Sequence, residues 1–419
     1  MICASSSKAI LHVILSAADV DFDEAKRSAR LIAFYLPQFH PIPENDAWWG
    51  RGFTEWTNVC QAKPLFLKHR QPRLPADMGF YDLRVPETRA AQAGLAHKYG
   101  IEGFCYWHYW FQGRRLLWRP FNDVLQSGEP NFPFCLAWAN ESWSRRWLGE
   151  EEDVLAAQTY SEDDDIHHIQ WLLQAFADRR YITVNAHPLF LIYRPRHLPN
   201  PQRTTDVFRT ECVKAGLPEP FLVGIDAHCQ NFDCRSIGFD GTLSFEPQLG
   251  LLPGAQKPGS ASNDDASLSK LLRNIRLGIF SNRLKIYDDE EARRLMFQQK
   301  PEFPYYPSIF VGWDSTPRRR ENAIVVVNGT PDQFGGHLSA MIRTVANRPF
   351  EDRLVFINAW NEWAEGNYLE PDFKWGRGYL KAVRKAAQGK PASPREELPI
   401  GSSREGAGLQ IRDKAAGRA

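Results

Sequence analysis

Eight short apolar runs, each bounded by turn-forming residues, recur along the chain. They are "LIAFYLPQ" (31–38), "EGFCYWHYW" (102–110), "PFCLAWANES" (133–142), "HPLFLIYRP" (187–195), "PFLVGIDAH" (220–228), "GTLSFEP" (241–247), "YPSIFVGWDS" (306–315) and "RLVFINAWNE" (353–362). Their apolar positions are continuous rather than alternating, the pattern of parallel strands covered on both faces. Helical stretches lie between most of them. "PETRAAQAGLAHKYG" opens on Pro86 and closes on Gly100, and "SEDDDIHHIQWLLQAFADRR" offers Ser161 as an N-cap before an acidic first turn. "TPDQFGGHLSAMIRTVANR" and "GRGYLKAVRKAAQ" follow the seventh and eighth runs. Eight strands with intervening helices predict an α/β fold, a (β/α)8 TIM barrel in a single domain.

Two stretches break the pattern. No helix separates the fifth and sixth runs, where "CQNFDCRSIGFD" is short and broken. Residues from about 251 to 303 form a long insertion after the sixth run, of the kind that serves binding faces. Residues 1–29 read as a leader, and residues 389–419, rich in Gly, Pro, Ser and charge, predict a disordered tail. The barrel is thus expected over residues 30–388.

The chain has 419 residues, with 51 basic against 50 acidic. No global field draws it to nucleic acid or an anionic membrane. No apolar run reaches the roughly 20 residues of a membrane span, so no integral membrane segment is expected. The N-terminal apolar patch runs straight into Asp19, Asp21, Asp23 and Glu24 with no basic region before it, unlike an export signal. Seven cysteines, with Cys105 and Cys135 inside apolar runs, fit buried thiols of a reducing compartment, so a cytoplasmic location is expected. Cys229 and Cys234 lack the second pair of a zinc site, and no metal or cofactor is expected.

Tryptophan changes the picture. Of 14 such residues, nine fall between Trp48 and Trp147. An indole is either core packing or a flat apolar platform for a sugar ring. Polar groups gather at the C-terminal ends of the runs, where barrel enzymes keep their sites. The first run carries Tyr35 and leads to His40, Glu55 and Trp56. The second carries Tyr106, His108 and Tyr109, and the third Trp138, Asn140 and Glu141. The fifth exits through Asp226, the sixth through Glu246 and the seventh through Trp313 and Asp314. The eighth exits through Trp360, Asn361, Glu362, Trp363 and Glu365. A single carboxylate after a strand is commonly a helix cap or a loop ion pair, and His108 can be a core histidine. Acids at six of the eight exits favour one shared acidic mouth. Such a mouth, lined with aromatic rings, suits a neutral polyhydroxylated ligand, an oligosaccharide or polysaccharide. Glycoside cleavage needs two carboxyl groups, one protonated and one ionised, and close pairing in apolar surroundings separates their pKa values. Glu362 and Glu365, in "AWNEWAEGNYLEPD" (359–372), are the pair expected to be catalytic, and the other exit residues are expected to bind substrate.

Five motifs in order, "FYLPQFHPIPENDAWWGRGFTEWTNV", "HRQPRLPADMGFYDLR", "GIEGFCYWHYWFQGRRLL", "FCLAWANESWSRRW" and "AWNEWAEGNYLEPD", together resemble the WbsX-type family. That family is labelled as glycosyltransferases of lipopolysaccharide O-antigen and polysaccharide synthesis and is related to the family 99 glycoside hydrolases, the endo-α-mannosidase group. The likeness spans roughly residues 31 to 388. It implies a (β/α)8 barrel in which "NEWAEG" (361–366) matches the hydrolases' Asn-Glu-Trp-x-Glu-Gly motif. It further implies that Glu362 acts as base toward a sugar 2-hydroxyl, through an anhydrosugar, and that Glu365 is the general acid/base. Ala364 stands where the mannosidases usually carry His, a departure that argues against carrying over their mannose-type substrate. Three functions follow: a retaining endo-glycosidase acting on a bacterial-type polysaccharide, a glycosyltransferase, or a non-catalytic carbohydrate-binding protein. The Asp-x-Asp triplets of many transferases occur only in the leader and at 163–165, away from the strand exits, and binding alone needs no carboxylate pair.

Overall fold

A computed structural model describes residues 22–145, 150–227, 231–253, 283–298 and 300–389. Most of the expected leader, the middle of the insertion, Cys229 and the C-terminal tail lie outside the described residues. Eight strands form the barrel: β1 (Arg30–Tyr35), β2 (Gly103–Phe111), β3 (Phe134–Trp138), β4 (His187–Ile192), β5 (Phe221–Asp226), β6 (Gly241–Ser244), β7 (Tyr306–Phe310) and β8 (Leu354–Asn358). Each coincides with one of the eight apolar runs, β1 starting one residue before its run and β2 ending one residue after. Every neighbouring pair is parallel, and β1 closes the ring by pairing with both β2 and β8.

The covering helices include α1 (Pro86–Lys98), α2 (Arg119–Ser127), α3 (Glu162–Phe176), α4 (Pro201–Lys214), α5 (Pro331–Val345) and α6 (Gly378–Ala387). Ser161 caps α3 as its sequence requires, its hydroxyl accepting from the Asp164 N–H at 3.1 Å. Between β5 and β6 the described chain makes only a 3-10 turn, Cys234–Ile237, consistent with the broken pattern there. The expected insertion ends in a strand, Lys285–Asp288, and a helix, Asp289–Gln298. That strand joins Ile324–Val327 and Trp313–Asp314 in a small sheet built on the β7 exit. No described helix is long and apolar enough to cross a membrane.

Strand alternation decides which side chains can meet in the barrel. On β2, Tyr106 packs on Phe121 of α2, His108 meets His168 of α3, and the Trp110 indole donates to Asp164 of α3. These face the helices. Trp107 faces the opposite way, stacked on Phe34 at 4.8 Å and edge-on to Tyr193 and Phe245. The barrel interior is therefore floored by aromatic rings, of which Trp107, Tyr193 and Phe245 are only partly buried.

Candidate active site

The β8 exit is fixed before its carboxylates are placed. Asn361, fully buried, accepts from the Leu36 N–H at 2.8 Å and donates to the Leu36 carbonyl at 3.0 Å, so both of its amide ends hold the chain leaving β1. Trp363 stacks on Tyr368 at 3.8 Å and donates from its indole to Glu370 at 2.6 Å. The turn Trp363–Glu365 ends on Gly366 at φ +61°, where a Cβ would stand 2.8 Å from the Asp314 side chain and 2.9 Å from Arg73. Only glycine tolerates both that backbone and that approach.

Held in this way, Glu362 and Glu365 both reach Arg318, which lies on a short helix, Thr316–Arg319, following the β7 exit. The guanidinium donates from Nη1 to Glu365 Oε1 at 2.6 Å and from Nη2 to Glu362 Oε2 at 2.9 Å. It also grips Glu55, with Nε at 3.0 Å and Nη2 at 2.5 Å from Oε1. Glu55 opens the helix Glu55–Gln61 after the β1 exit, anchored by its N–H to the Gln38 carbonyl. The exits of β1 and β8 thus deliver three carboxylates to one cation carried by the exit of β7.

Burial raises the Glu362 carboxyl to about 8; the Arg318 charge opposes the rise, and Glu365 and Glu55 add to it. Glu55 is also raised, mainly by burial. The Tyr109 hydroxyl is pushed far up by burial and then by the Glu362 charge, which puts this inward β2 residue within the field of the cluster. Behind it, burial raises Glu370 to about 7 while Tyr81, Gln92 and Trp363 donate to its two oxygens.

Of the residues expected at the mouth, Glu55, Glu362 and Glu365 come together. Trp56, Asn361 and Trp363 are buried around them; the Trp56 indole donates to the Tyr81 carbonyl and its ring packs on Trp363, whereas Trp360 is buried against Phe104. Others are held elsewhere. The Tyr35 hydroxyl donates to Gln92 of α1, the His108 and His168 rings meet at 3.0 Å, and the Trp138 indole donates to the Trp110 carbonyl. Burial lowers His108 to about 3 and His40 to about 4, and His40 Nδ1 lies 3.0 Å from the Pro37 carbonyl. Asn140 bonds the Arg194 backbone, and Glu141 pairs with the Arg194 side chain at 2.6 Å. Asp226 accepts from the Phe232 N–H, and Glu246 faces His337 of α5 at 3.2 Å. Trp313 and Asp314 line a separate cavity beside the cluster.

Arg318, Trp107, Tyr193 and Phe245 belong to the region without having been singled out by sequence reasoning. Arg318 is one of three consecutive arginines in "TPRRREN". Only its place four residues beyond Asp314 hints at a site.

The family model described as glycosyltransferase WbsX matches residues 31–383. Proteins named "uncharacterized protein WxcX" from two strains of Xanthomonas campestris pv. campestris are 42% and 43% identical over 364 residues, 85% of this chain and 49% of theirs. The chain spans about half the length of these curated relatives. Among solved structures, a glycoside hydrolase-like protein aligns with a TM-score of 0.51 at 13% identity, covering 90% of this chain and 98% of its own. The GH99 endo-α-mannosidase from Bacteroides thetaiotaomicron aligns at 0.50 with 12% identity, covering 85% and 96%. At such identities the likeness concerns the fold, a (β/α)8 barrel.

Proposed function

We propose that this chain, which belongs to the glycosyltransferase WbsX family, is a carbohydrate-active enzyme that cleaves within a bacterial-type polysaccharide using Glu362 and Glu365. The same proposal takes residues 30–388 as one catalytic domain. The observation that carries it is the convergence of both carboxylates, with Glu55, on Arg318 above an aromatic floor.

Glu362 is buried and held near neutral pKa, where a carboxylate is a strong base yet still partly ionised. Glu365 is the more open of the two, its side chain 25% exposed against 10%, as a group that must reach a leaving oxygen and later a water needs to be. In the route that the family likeness implies, Glu362 takes the proton of a sugar 2-hydroxyl while that oxygen attacks the anomeric carbon. Glu365 gives its proton to the departing glycosidic oxygen. Water then opens the anhydrosugar, returning one proton to Glu365 while Glu362 gives its proton back to the 2-oxygen, with retention overall. Arg318 holds the two carboxylates in register throughout.

The transferase reading draws support from the family description. The triplet at 163–165 does not add to it: Asp164 accepts from the Trp110 indole and Asp165 from the Thr204 hydroxyl, both at the helix layer. Incubating the full chain with a panel of polysaccharides and following released oligosaccharides by mass spectrometry tests the proposal. Release is expected, with retained anomeric configuration, and Glu365→Gln should lower it at least a thousandfold. Cleavage that survives that substitution overturns the reading, and micromolar binding of a nucleotide sugar with manganese favours the transferase.

A further inference from the structure

Beside the carboxylate cluster lies a cavity of about 180 Å³ lined by, among others, Phe66, Lys68, Arg70, Trp313, Lys374 and Trp375. It shares two short segments with the cluster. Asp314 lines the cavity and Arg318, four residues on, grips the carboxylates; Gly366 lines the cavity and Glu365 precedes it. The volume is well below the roughly 300–1,000 Å³ of a drug-sized pocket and of the order of a single sugar ring.

The acidic groups of this cavity are already neutralised. Asp314, fully buried, faces His69 at 3.0 Å and accepts from Gln71 at 2.7 Å, Arg73 at 3.3 Å and the Thr316 hydroxyl at 2.6 Å. Burial opposes its ionisation, but the His69 bond and the Arg73 charge hold it well below the usual carboxylate range. Asp372 pairs with Arg70 at 3.0 Å, and Asp289 with Arg293 at 2.7 Å. Lys68 and Lys374 have no carboxylate partner among the described residues. Two positive charges are therefore left over, and Lys374 is pushed down by burial and then by Arg70 and Arg73, as a cation in a positive field is. The Trp313 indole N–H, in a residue only 9% exposed, has no acceptor among the described residues. Trp375 and Phe66 are partly exposed; one face of Phe66 stacks on His69 at 4.2 Å, and the Lys374 ammonium lies 4.4 Å over the Trp375 ring, so that charge and ring stand together at the cavity.

We infer that this cavity is a subsite for a sugar unit carrying an anionic substituent, its charge held by Lys68 and Lys374 and its ring covered by Trp375 and Phe66. This rests on the polysaccharide-cleaving reading and narrows its substrate class to an acidic glycan. The link to the cluster is short, because Arg73 donates to the Gly366 carbonyl at 3.0 Å, one residue from Glu365.

Calorimetry on the 419-residue chain carrying Glu365→Gln tests this without turnover. The probes are tetragalacturonate, glucose 6-phosphate and neutral maltotetraose. At least one anionic probe should bind ten times or more tightly than maltotetraose, with affinity that falls as salt rises. Binding of tetragalacturonate alone identifies a carboxylate, and of glucose 6-phosphate alone a phosphate. The double variant Lys68→Met, Lys374→Met, whose side chains are exposed and whose thermal transition should be unchanged, should lose that affinity at least tenfold. Equal binding of the neutral probe, no binding of any probe, or full affinity in the double variant overturns the inference. Each of these leaves the two-glutamate reading standing, since that reading is tested by polysaccharide release, its loss in the Glu365→Gln protein and nucleotide-sugar binding, not by these probes.

Discussion

Glu55 and Arg318, 263 residues apart in sequence, meet at 2.5 Å between Oε1 and Nη2. The barrel brings them there, because the exits of β1 and β7 flank that of β8 on one rim. The contact matters because the same guanidinium carries Glu362 and Glu365, so the cluster holds more acid than it can neutralise.

Arg318→Met leaves Glu55 and Glu362 buried without their counter-charge. We expect a loss of about 3–5 kcal/mol in stability, the cost of breaking a buried charge network by one partner. Cleavage should fall at least a hundredfold, with the acid-side pKa of the pH profile, set by Glu362 as the base, moving further above 8. Arg318→Lys should recover only part, because an ammonium cannot serve three carboxylates from one planar fork. Urea denaturation and pH–rate profiles check both points, and a wild-type profile in Arg318→Met contradicts them.

Glu362 makes stability fall as pH rises. Its folded pKa, about 8, lies above the ordinary 4.5, so the folded state holds a proton that the unfolded chain has lost. The contribution is complete below about pH 4.5 and is lost as pH climbs through about 8. Glu370, at about 7, titrates over the lower part of the same window. Between pH 7 and 9 the wild type should therefore lose on the order of 1 kcal/mol that Glu362→Gln keeps. Parallel denaturation curves of the two proteins at pH 7 and 9 measure this, and equal losses refute it.

Asn361→Ala removes two buried bonds to the Leu36 backbone and leaves its N–H and carbonyl unpaired. A loss of about 2–4 kcal/mol is expected from unsatisfied buried groups. Because Asn361 aligns the β8 exit and its amide is spent on backbone, residual activity should scale with the folded fraction. Denaturation midpoints beside activity at low temperature separate this from direct substrate contact.

Trp107→Leu keeps the barrel interior apolar but removes the flat ring between Phe34 and Tyr193. If the ring supports a sugar, KM should rise about tenfold with kcat within threefold, as lost ring contact predicts. Steady-state kinetics on a cleaved polysaccharide decide it, and an unchanged KM removes Trp107 from the binding face.

The chain by itself determined the barrel and the position of the glutamate pair. Eight continuous apolar runs can be satisfied only by strands covered on both faces, and a polar motif after the last of them must lie on the rim. That same continuity hid the facing of side chains. With helices outside and rings inside, Tyr106, His108 and Trp138 look no different in sequence from Trp107, yet the first three turn to the helices and Trp107 turns to the interior. Asn361 reads as a binding residue but is consumed by the Leu36 backbone. The choice of Arg318 over its two neighbouring arginines was also left to tertiary structure. An ion pair is selected by where loops from distant strands converge, and nothing local in "TPRRREN" distinguishes one guanidinium from the next.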